Sequence, residues 1–192
     1  MMKGKRLFQH STASHVLFKL IALAMESPLR RKINDPIEAL AGSGLRPGME
    51  VLEVGCGTGF FTIPAAHLVG SEGGIHAIDL HPLALEEVFR KVKEAHLDNV
   101  TILKADAIDT GLPDSRFDVI LLFGVIPSPS LPLRHLLPEM NRMLKDNGTL
   151  AVWTVFPFFL VRSITRGGLF TYMGKRRGAY KFMKTDILLN AD

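Results

Sequence analysis

Three acidic residues stand where a bare carboxylate needs an explanation. Glu53 lies inside V-L-E-V, an apolar run of strand character, and an ionised carboxylate buried there calls for a partner. Directly after it comes Gly55-Cys56-Gly57-Thr58-Gly59. Three glycines at alternate positions turn a strand into a helix with no Cβ between the backbone and a ligand. Asp79 ends the next apolar run, I-H-A-I, 20 residues after Gly59. An acid at that place can accept both hydroxyls of a ribose. Asp106-Ala107 follows the third run. There a carboxylate can accept from an adenine amino group, and the next backbone N–H can donate to a ring nitrogen. Each acid also has an ordinary reading: an ion pair with Arg or Lys for Glu53, a helix N-cap for Asp79, a loop acid for Asp106. Taken together they outline one ligand with an amine, a ribose and an adenine, read by successive strand ends.

The elements that must position these residues alternate. Val51 to Val54, Ile75 to Ile78, Val100 to Leu103, Asp118 to Phe123 and Thr149 to Phe156 read as strands. The run D-V-I-L-L-F at 118–123 has the continuous apolar character of a central parallel strand covered on both faces. Helices are expected from Phe60 to Leu68, from His81-Pro82 onward, and from Leu136 to Leu144, the last ended by Asn147-Gly148. In the second of these, Leu85, Val88, Phe89 and Val92 fall on one apolar face. Strands separated by helices mean βαβ units and a parallel sheet. The tail differs: Leu169 to Lys175, a turn at Arg176-Arg177-Gly178, and Ala179 to Lys184 read as an antiparallel β-hairpin. Ahead of the first strand, Val16 to Ser27 reads as an apolar helix, and Asp35-Pro36 opens a short one that Gly42 and Gly44 stop.

The totals set bounds. A length of 192 residues suits one domain, with 47% hydrophobic and 22% charged residues, an ordinary globular balance. A net charge of +4 permits an anionic ligand, nucleic acid or membrane surface without requiring one. Cys56 is the sole cysteine, so no internal disulfide and no cysteine-cluster metal site can form; no metal is expected, and a reducing cytoplasm fits. The apolar run Val16 to Met25 is interrupted by Lys19, lacks a cleavage site, and is shorter than the roughly 20 apolar residues that span a bilayer.

On these residues the chain resembles the class I S-adenosylmethionine-dependent methyltransferases. V-L-E-V-G-C-G-T-G is similar to their first motif, I-H-A-I-D-L to the second, A-D-A to the third, and F-D-V-I-L-L-F to their fourth strand. The resemblance covers residues 45 to 156. It implies a Rossmann-like, doubly wound α/β fold: a mostly parallel seven-stranded sheet with a C-terminal antiparallel hairpin. An N-terminal helical cap over residues 1–44 would then precede a cofactor-binding domain over 45–192. It also implies roles. Glu53 would hold the methionine amino group, and Gly55, Gly57 and Gly59 would lie against the methionine and ribose. Asp79 would bind the ribose hydroxyls, with Leu80 on the adenine face. Asp106 and Ala107 would meet the adenine edge, and Phe123 and Gly124 would flank the sulfonium.

The acceptor is narrowed by what is missing. The turn after strand four, Phe123-Gly124-Val125-Ile126-Pro127, lacks the Asn/Asp-Pro-Pro-aromatic pattern of enzymes that methylate exocyclic base nitrogens. The only cysteine sits in the glycine turn, away from where cytosine C5 enzymes carry their nucleophile. Nucleic acid is therefore disfavoured; a small molecule, a lipid-like molecule or a protein group remains, and a small, apolar or lipid-like acceptor is the expectation. The pattern is most similar to the branch of quinone-biosynthesis and other small-molecule methyltransferases. The run Phe156 to Val161 and the basic residues Arg30, Arg31, Lys32, Lys175, Arg176 and Arg177 could suit an acceptor delivered from a membrane. Methyl transfer from a sulfonium needs alignment more than acid–base groups. Should a base be required, His10 and His15 in the cap are the candidates, ahead of His81 and His135. Two other readings stay open: a nicotinamide-dependent oxidoreductase, against which the five-residue glycine turn and Asp106 argue, and a non-catalytic binder of the same cofactor.

Overall fold

Strand pleating and helix periodicity sort this sequence into three layers. A computed structural model describes residues 35–185. In chain order the elements are α1 (Pro36–Ser43), β1 (Glu50–Val54), α2 (Thr62–Val69), β2 (Gly74–Asp79), α3 (Pro82–Glu94), β3 (Val100–Lys104) and β4 (Phe117–Phe123). There follow α4 (Leu133–Met143), β5 (Leu144–Trp153), α5 (Leu160–Thr165), β6 (Phe170–Arg176) and β7 (Ala179–Lys184). The strands form one seven-stranded sheet in the order β3-β2-β1-β4-β5-β7-β6. The first five are parallel, and β7 runs antiparallel to both β5 and β6. The expected helix over Val16 to Ser27, the cap it would form, Arg30, Arg31 and Lys32, and His10 and His15 lie outside the described residues.

The alternation of β1 divides the core. Leu52 and Val54 point into a cluster with Ile120, Leu122, Leu136, Met140 and Ile164, under α4 and α5. Val51 points the other way, with Val119, Leu121, Leu40, Phe61 and Ala65 under α1 and α2. β4 is buried on both sides, as its unbroken apolar run requires. The one acid in that run, Asp118, has local work: Oδ2 accepts the Glu50 N–H at 2.8 Å and Oδ1 meets Lys145 Nζ at 2.8 Å.

Several boundaries differ from expectation, each for a physical reason. α4 begins at Leu133, and β5 begins at Leu144 and ends at Trp153, not from Thr149 to Phe156. Leu144 already pairs with Phe117; the register then slips, and pairing resumes at Val119 with Thr149. Asn147, at φ 64°, and Gly148 form the intervening bulge rather than a helix end. Gly42 does not stop α1. It lies inside the helix, where a Cβ would come within 2.1 Å of the Arg176 carbonyl oxygen, so glycine lets helix and hairpin touch. Gly44, at φ 93°, is the terminator. On α3, Phe89 is exposed and Ala84 takes its place in the core; Lys93 Nζ sits 4.6 Å from the Phe89 ring centroid. The hairpin turns at Arg177 and Gly178, both with positive φ, the two-residue turn whose twist matches antiparallel strands.

No helix connects β3 to β4. Residues 105–116 cross as irregular chain, and α4 pins them. Glu139 Oε1 accepts from the Thr110 N–H at 2.9 Å and from its hydroxyl at 2.7 Å. Arg142 donates to the Leu112 carbonyl at 2.8 Å and pairs with Asp114. Those bonds hold the Glu139 carboxyl down at about 2, chiefly through Arg142, against a smaller opposing effect of burial.

Candidate functional site

The carboxyl ends of β3, β2, β1 and β4 are neighbours, so residues just beyond them share one edge of the sheet. This is the edge where open α/β sheets take ligands. The glycine turn leaves β1 and folds over the end of β2: the Gly55 and Cys56 N–H groups donate to the Ile78 carbonyl at 2.8 and 3.1 Å. Gly55, Gly57 and Gly59 adopt φ of 69°, 53° and 79°, a region that costs any side-chain-bearing residue strain.

Asp79 joins the turn to the rest. Its Oδ2 accepts the Gly57 N–H at 3.0 Å and its Oδ1 the His81 N–H at 2.9 Å. The helix-cap reading holds in modified form, because His81 is the N-cap residue of α3 and Asp79 secures it. A carboxylate has about four acceptor sites, so both oxygens keep capacity for further donors. The Asp79 carbonyl also accepts the Ala105 N–H at 3.3 Å, which draws the exit of β3 alongside. One step on, Asp106 Oδ1 accepts the Ile108 N–H at 3.1 Å and Ala107 is buried. Leu80, next to Asp79, keeps 44% of its surface exposed, an apolar platform at the strand end.

Glu53 is 3% exposed, and its one hydrogen-bond partner among the described residues is the Thr62 hydroxyl, which donates to Oε2 at 2.5 Å. No Arg, Lys or His pairs with it among the described residues, so the ion-pair reading fails there. Burial pushes its carboxyl up to about 8; the Thr62 bond opposes and the nearby Asp79 charge reinforces. At neutral pH the free protein therefore carries a neutral acid at this point, and an arriving cation would ionise it. Cys56 is buried, and its thiol is pushed far above the ordinary range, first by burial and then by Glu53 and Asp79. It is no nucleophile.

From β4, Val125 packs against Gly55, at 3.3 Å from where a Cβ would stand. The Phe123 ring is not at the edge: it lies in the core, edge-on to Phe61 with centroids 5.0 Å apart. Only the backbone of Phe123 and Gly124 remains for a ligand. Thus Glu53, the three glycines, Asp79, Leu80, Asp106, Ala107 and Gly124 come together, and the Phe123 side chain does not. Thr62 and Val125 went unread in the sequence. A hydroxyl at the start of the helix after a buried acid was the available signal for Thr62.

A second feature lies beyond the ends of β4 and β5. A cavity of about 150 Å³ is lined by Ile126, Pro127, Leu131, Phe156, Phe158, Leu160 and neighbouring residues. Apolar cavities of about that size admit a benzene ring. Its walls are the proline-rich segment after β4 and the phenylalanine-rich segment after β5. Both are visible in the sequence, but not the fact that they face each other. Among the described residues no group of three His, Cys, Asp or Glu side chains could hold a metal ion, and no helix is long and apolar enough to cross a membrane.

This donor set fits S-adenosylmethionine, the cofactor implied by the resemblance: a buried acid without a cation among the described residues, a bare glycine backbone, a carboxylate with spare acceptor sites, and an exposed apolar side chain beside it. Known proteins agree. The chain is 31% identical over 117 residues to aklanonic acid methyltransferase DauC of Streptomyces sp. (strain C5), covering 61% of this chain and 50% of that protein. It is 39% identical over 106 residues to demethylmenaquinone methyltransferase of Staphylococcus aureus (strain MRSA252), covering 55% and 42%. The chain thus spans about half the length of the curated relatives it matches. The crystal structure of a SAM dependent methyltransferase from Aquifex aeolicus shares the fold with a TM-score of 0.72 at 24% identity, covering 88% of this chain and 96% of that one. The sequence profile of the family described as Methyltransferase domain matches residues 45–159, the greater part of the chain. On that match, this chain belongs to the methyltransferase domain family.

Proposed function

We propose that this chain is an S-adenosylmethionine-dependent methyltransferase that acts on a small apolar acceptor by direct methyl transfer. The observation that carries the reading is Glu53: a buried acid with no cation beside it among the described residues, two residues before a glycine turn that Asp79 clasps. Glu53 would hold the amino group of the methionine moiety, and Asp79 would take the ribose hydroxyls on its free acceptor sites. Leu80 would lie on the adenine face, with Asp106 and Ala107 at its edge. Gly55, Gly57 and Gly59 would admit the cofactor to the backbone, and the main chain at Phe123 and Gly124 would border the sulfonium. When bound, the cofactor supplies a methyl group already activated on sulfur. The protein's part is then alignment and exclusion of water.

The cavity between the segments after β4 and β5 would receive the acceptor. Its apolar lining agrees with the relatives named for aklanonic acid and demethylmenaquinone. Residues 1–44 would cap the domain of 45–192, bringing His10 or His15 into reach if the acceptor must lose a proton. The sole, buried cysteine suits a cytoplasmic setting. Titration calorimetry with S-adenosylhomocysteine tests the reading directly. Saturable binding that weakens in Asp79→Ala is expected. No heat of binding, or the same affinity in the variant, overturns it.

A further inference from the structure

We infer that the corner carrying Phe158 and Phe159, with Arg162 of α5 and Arg166 at its C-cap behind it, is a docking surface for an anionic lipid bilayer. Phe158 and Phe159 are 80% and 81% exposed, and Val155 and Phe156 are both 62% exposed. Isolated apolar side chains on a surface are ordinary, but four within five residues form a patch. The two most exposed sit at a protruding corner where the chain enters α5, the shape that can insert between lipids.

The backbone is held to this shape. Phe159 has φ 62°, a left-handed conformation that bulky residues avoid, and its side chain gains no burial in return. Insertion into an acyl layer would supply that burial.

Charge selects the partner. Residues 155 to 185 include seven Lys and Arg and no Asp or Glu. Arg177 pairs with Glu38 and Lys184 with Asp146, while Lys175 lies over the Tyr180 ring. Arg162 and Arg166 are exposed, four apart on one helix face, and make no ion pair among the described residues. The opposite side of α5 is fastened by Leu160 and Ile164 in the core. Aromatic rings at the tip with guanidinium groups one and two turns behind match the depth profile of a leaflet: rings among acyl chains, arginines at the anionic headgroups.

The surface also meets the cavity, because Phe156 and Phe158 line it as well as the patch. Resting on the proposed function, the bilayer would be where an apolar acceptor enters. The docking itself does not depend on that reading.

The test uses the full chain in flotation with phosphatidylcholine vesicles, with and without phosphatidylglycerol. Co-flotation is expected with the anionic vesicles at low salt and is expected to fade as salt rises. Phe158→Ser with Phe159→Ser should weaken it at least tenfold, and Arg162→Gln with Arg166→Gln should abolish the preference for anionic lipid. A Phe158→Trp chain should shift its emission to shorter wavelength on adding anionic vesicles, relative to the parent with Trp153 alone. No flotation, flotation untouched by the double serine variant, or flotation equal on neutral vesicles overturns the proposal. So does a Phe158→Trp emission already at short wavelength and unmoved by vesicles, for then other protein covers the corner. S-adenosylhomocysteine binding by the parent chain separates the two readings: there, binding without flotation sinks the docking alone, and flotation without binding sinks the enzyme alone.

Discussion

Asp79 Oδ2 receives the Gly57 N–H at 3.0 Å, so the acid proposed for the ribose also shapes the turn proposed to meet the methionine. The other oxygen secures His81 at the start of α3. One carboxylate thereby fixes the relative position of two strand ends before any ligand arrives. Asp79→Asn keeps the volume but loses charge and one acceptor. Hydrogen bonds to charged groups contribute about 1.5–3 kcal/mol, so S-adenosylhomocysteine should bind roughly ten- to hundredfold more weakly by calorimetry. Undiminished binding would remove Asp79 from the site.

In its proposed role Glu53 would make binding proton-linked. Its carboxyl stands near 8 in the free protein, against 4.5 ordinarily, and must ionise to hold an ammonium group. Binding near neutral pH should release up to one proton, visible as an enthalpy that varies with the buffer's heat of ionisation, and affinity should rise as pH climbs toward 8. Glu53→Gln should abolish both effects.

The same group sets a stability slope of definite sign. A folded-state value raised above the unfolded one contributes stability that is complete below about 4.5 and lost as pH rises through about 8. The unliganded chain should therefore melt at progressively lower temperature over that window as far as Glu53 is concerned. Glu53→Gln, measured by scanning calorimetry, should flatten this component of the curve.

Gly42→Ala should be costly although alanine favours helices. The new Cβ would stand 2.1 Å from the Arg176 carbonyl oxygen, backbone that cannot swing aside. Overpacking of this kind costs about 1–3 kcal/mol, read as a drop in denaturant midpoint. Gly167→Ala, with nothing within 4 Å of its Cβ, is the neutral control.

Arg142→Ala should loosen residues 105–116 without unfolding the sheet. It removes the bond to the Leu112 carbonyl and the pairs to Glu139 and Asp114. Faster amide exchange in that segment is expected, with several-fold weaker binding of the nucleoside end through Asp106 and Ala107. Glu139 sits near 2, so its side of the clasp persists until pH falls from about 4.5 through 2.

The sequence showed most of what repeats and little of what closes. The parallel sheet beneath the site followed from βαβ alternation, though not its strand order, and Glu53 was legible because a charge amid V-L-V has few innocent explanations. Asp79 was legible as a strand-end acid, but its bond to Gly57 was not, since that contact joins residues brought together only by pairing of β1 with β2. The direction of the Phe123 ring was not legible, because strand position says which backbone reaches the edge, not which way the side chain alternates. Phe89 failed for a related reason: Ala84 satisfies the same helical stripe with less volume. α5 escaped notice because six residues hold too few turns for periodicity to register. The wall shared by Pro127 and Phe158 depends on the crossover from β4 to β5, which no local pattern reports.

The crossing from β3 to β4 has one further implication. Chain that is anchored by clasps rather than wound into a helix can be lengthened without upsetting a repeating bond ladder. The stretch between Asp109 and Arg116 is thus where this scaffold can accept an added module, natural or grafted. Such a module would sit beside Asp106 and Ala107, the proposed nucleoside end of the site, so new specificity could be gained there while the glycine turn and its acids stay untouched.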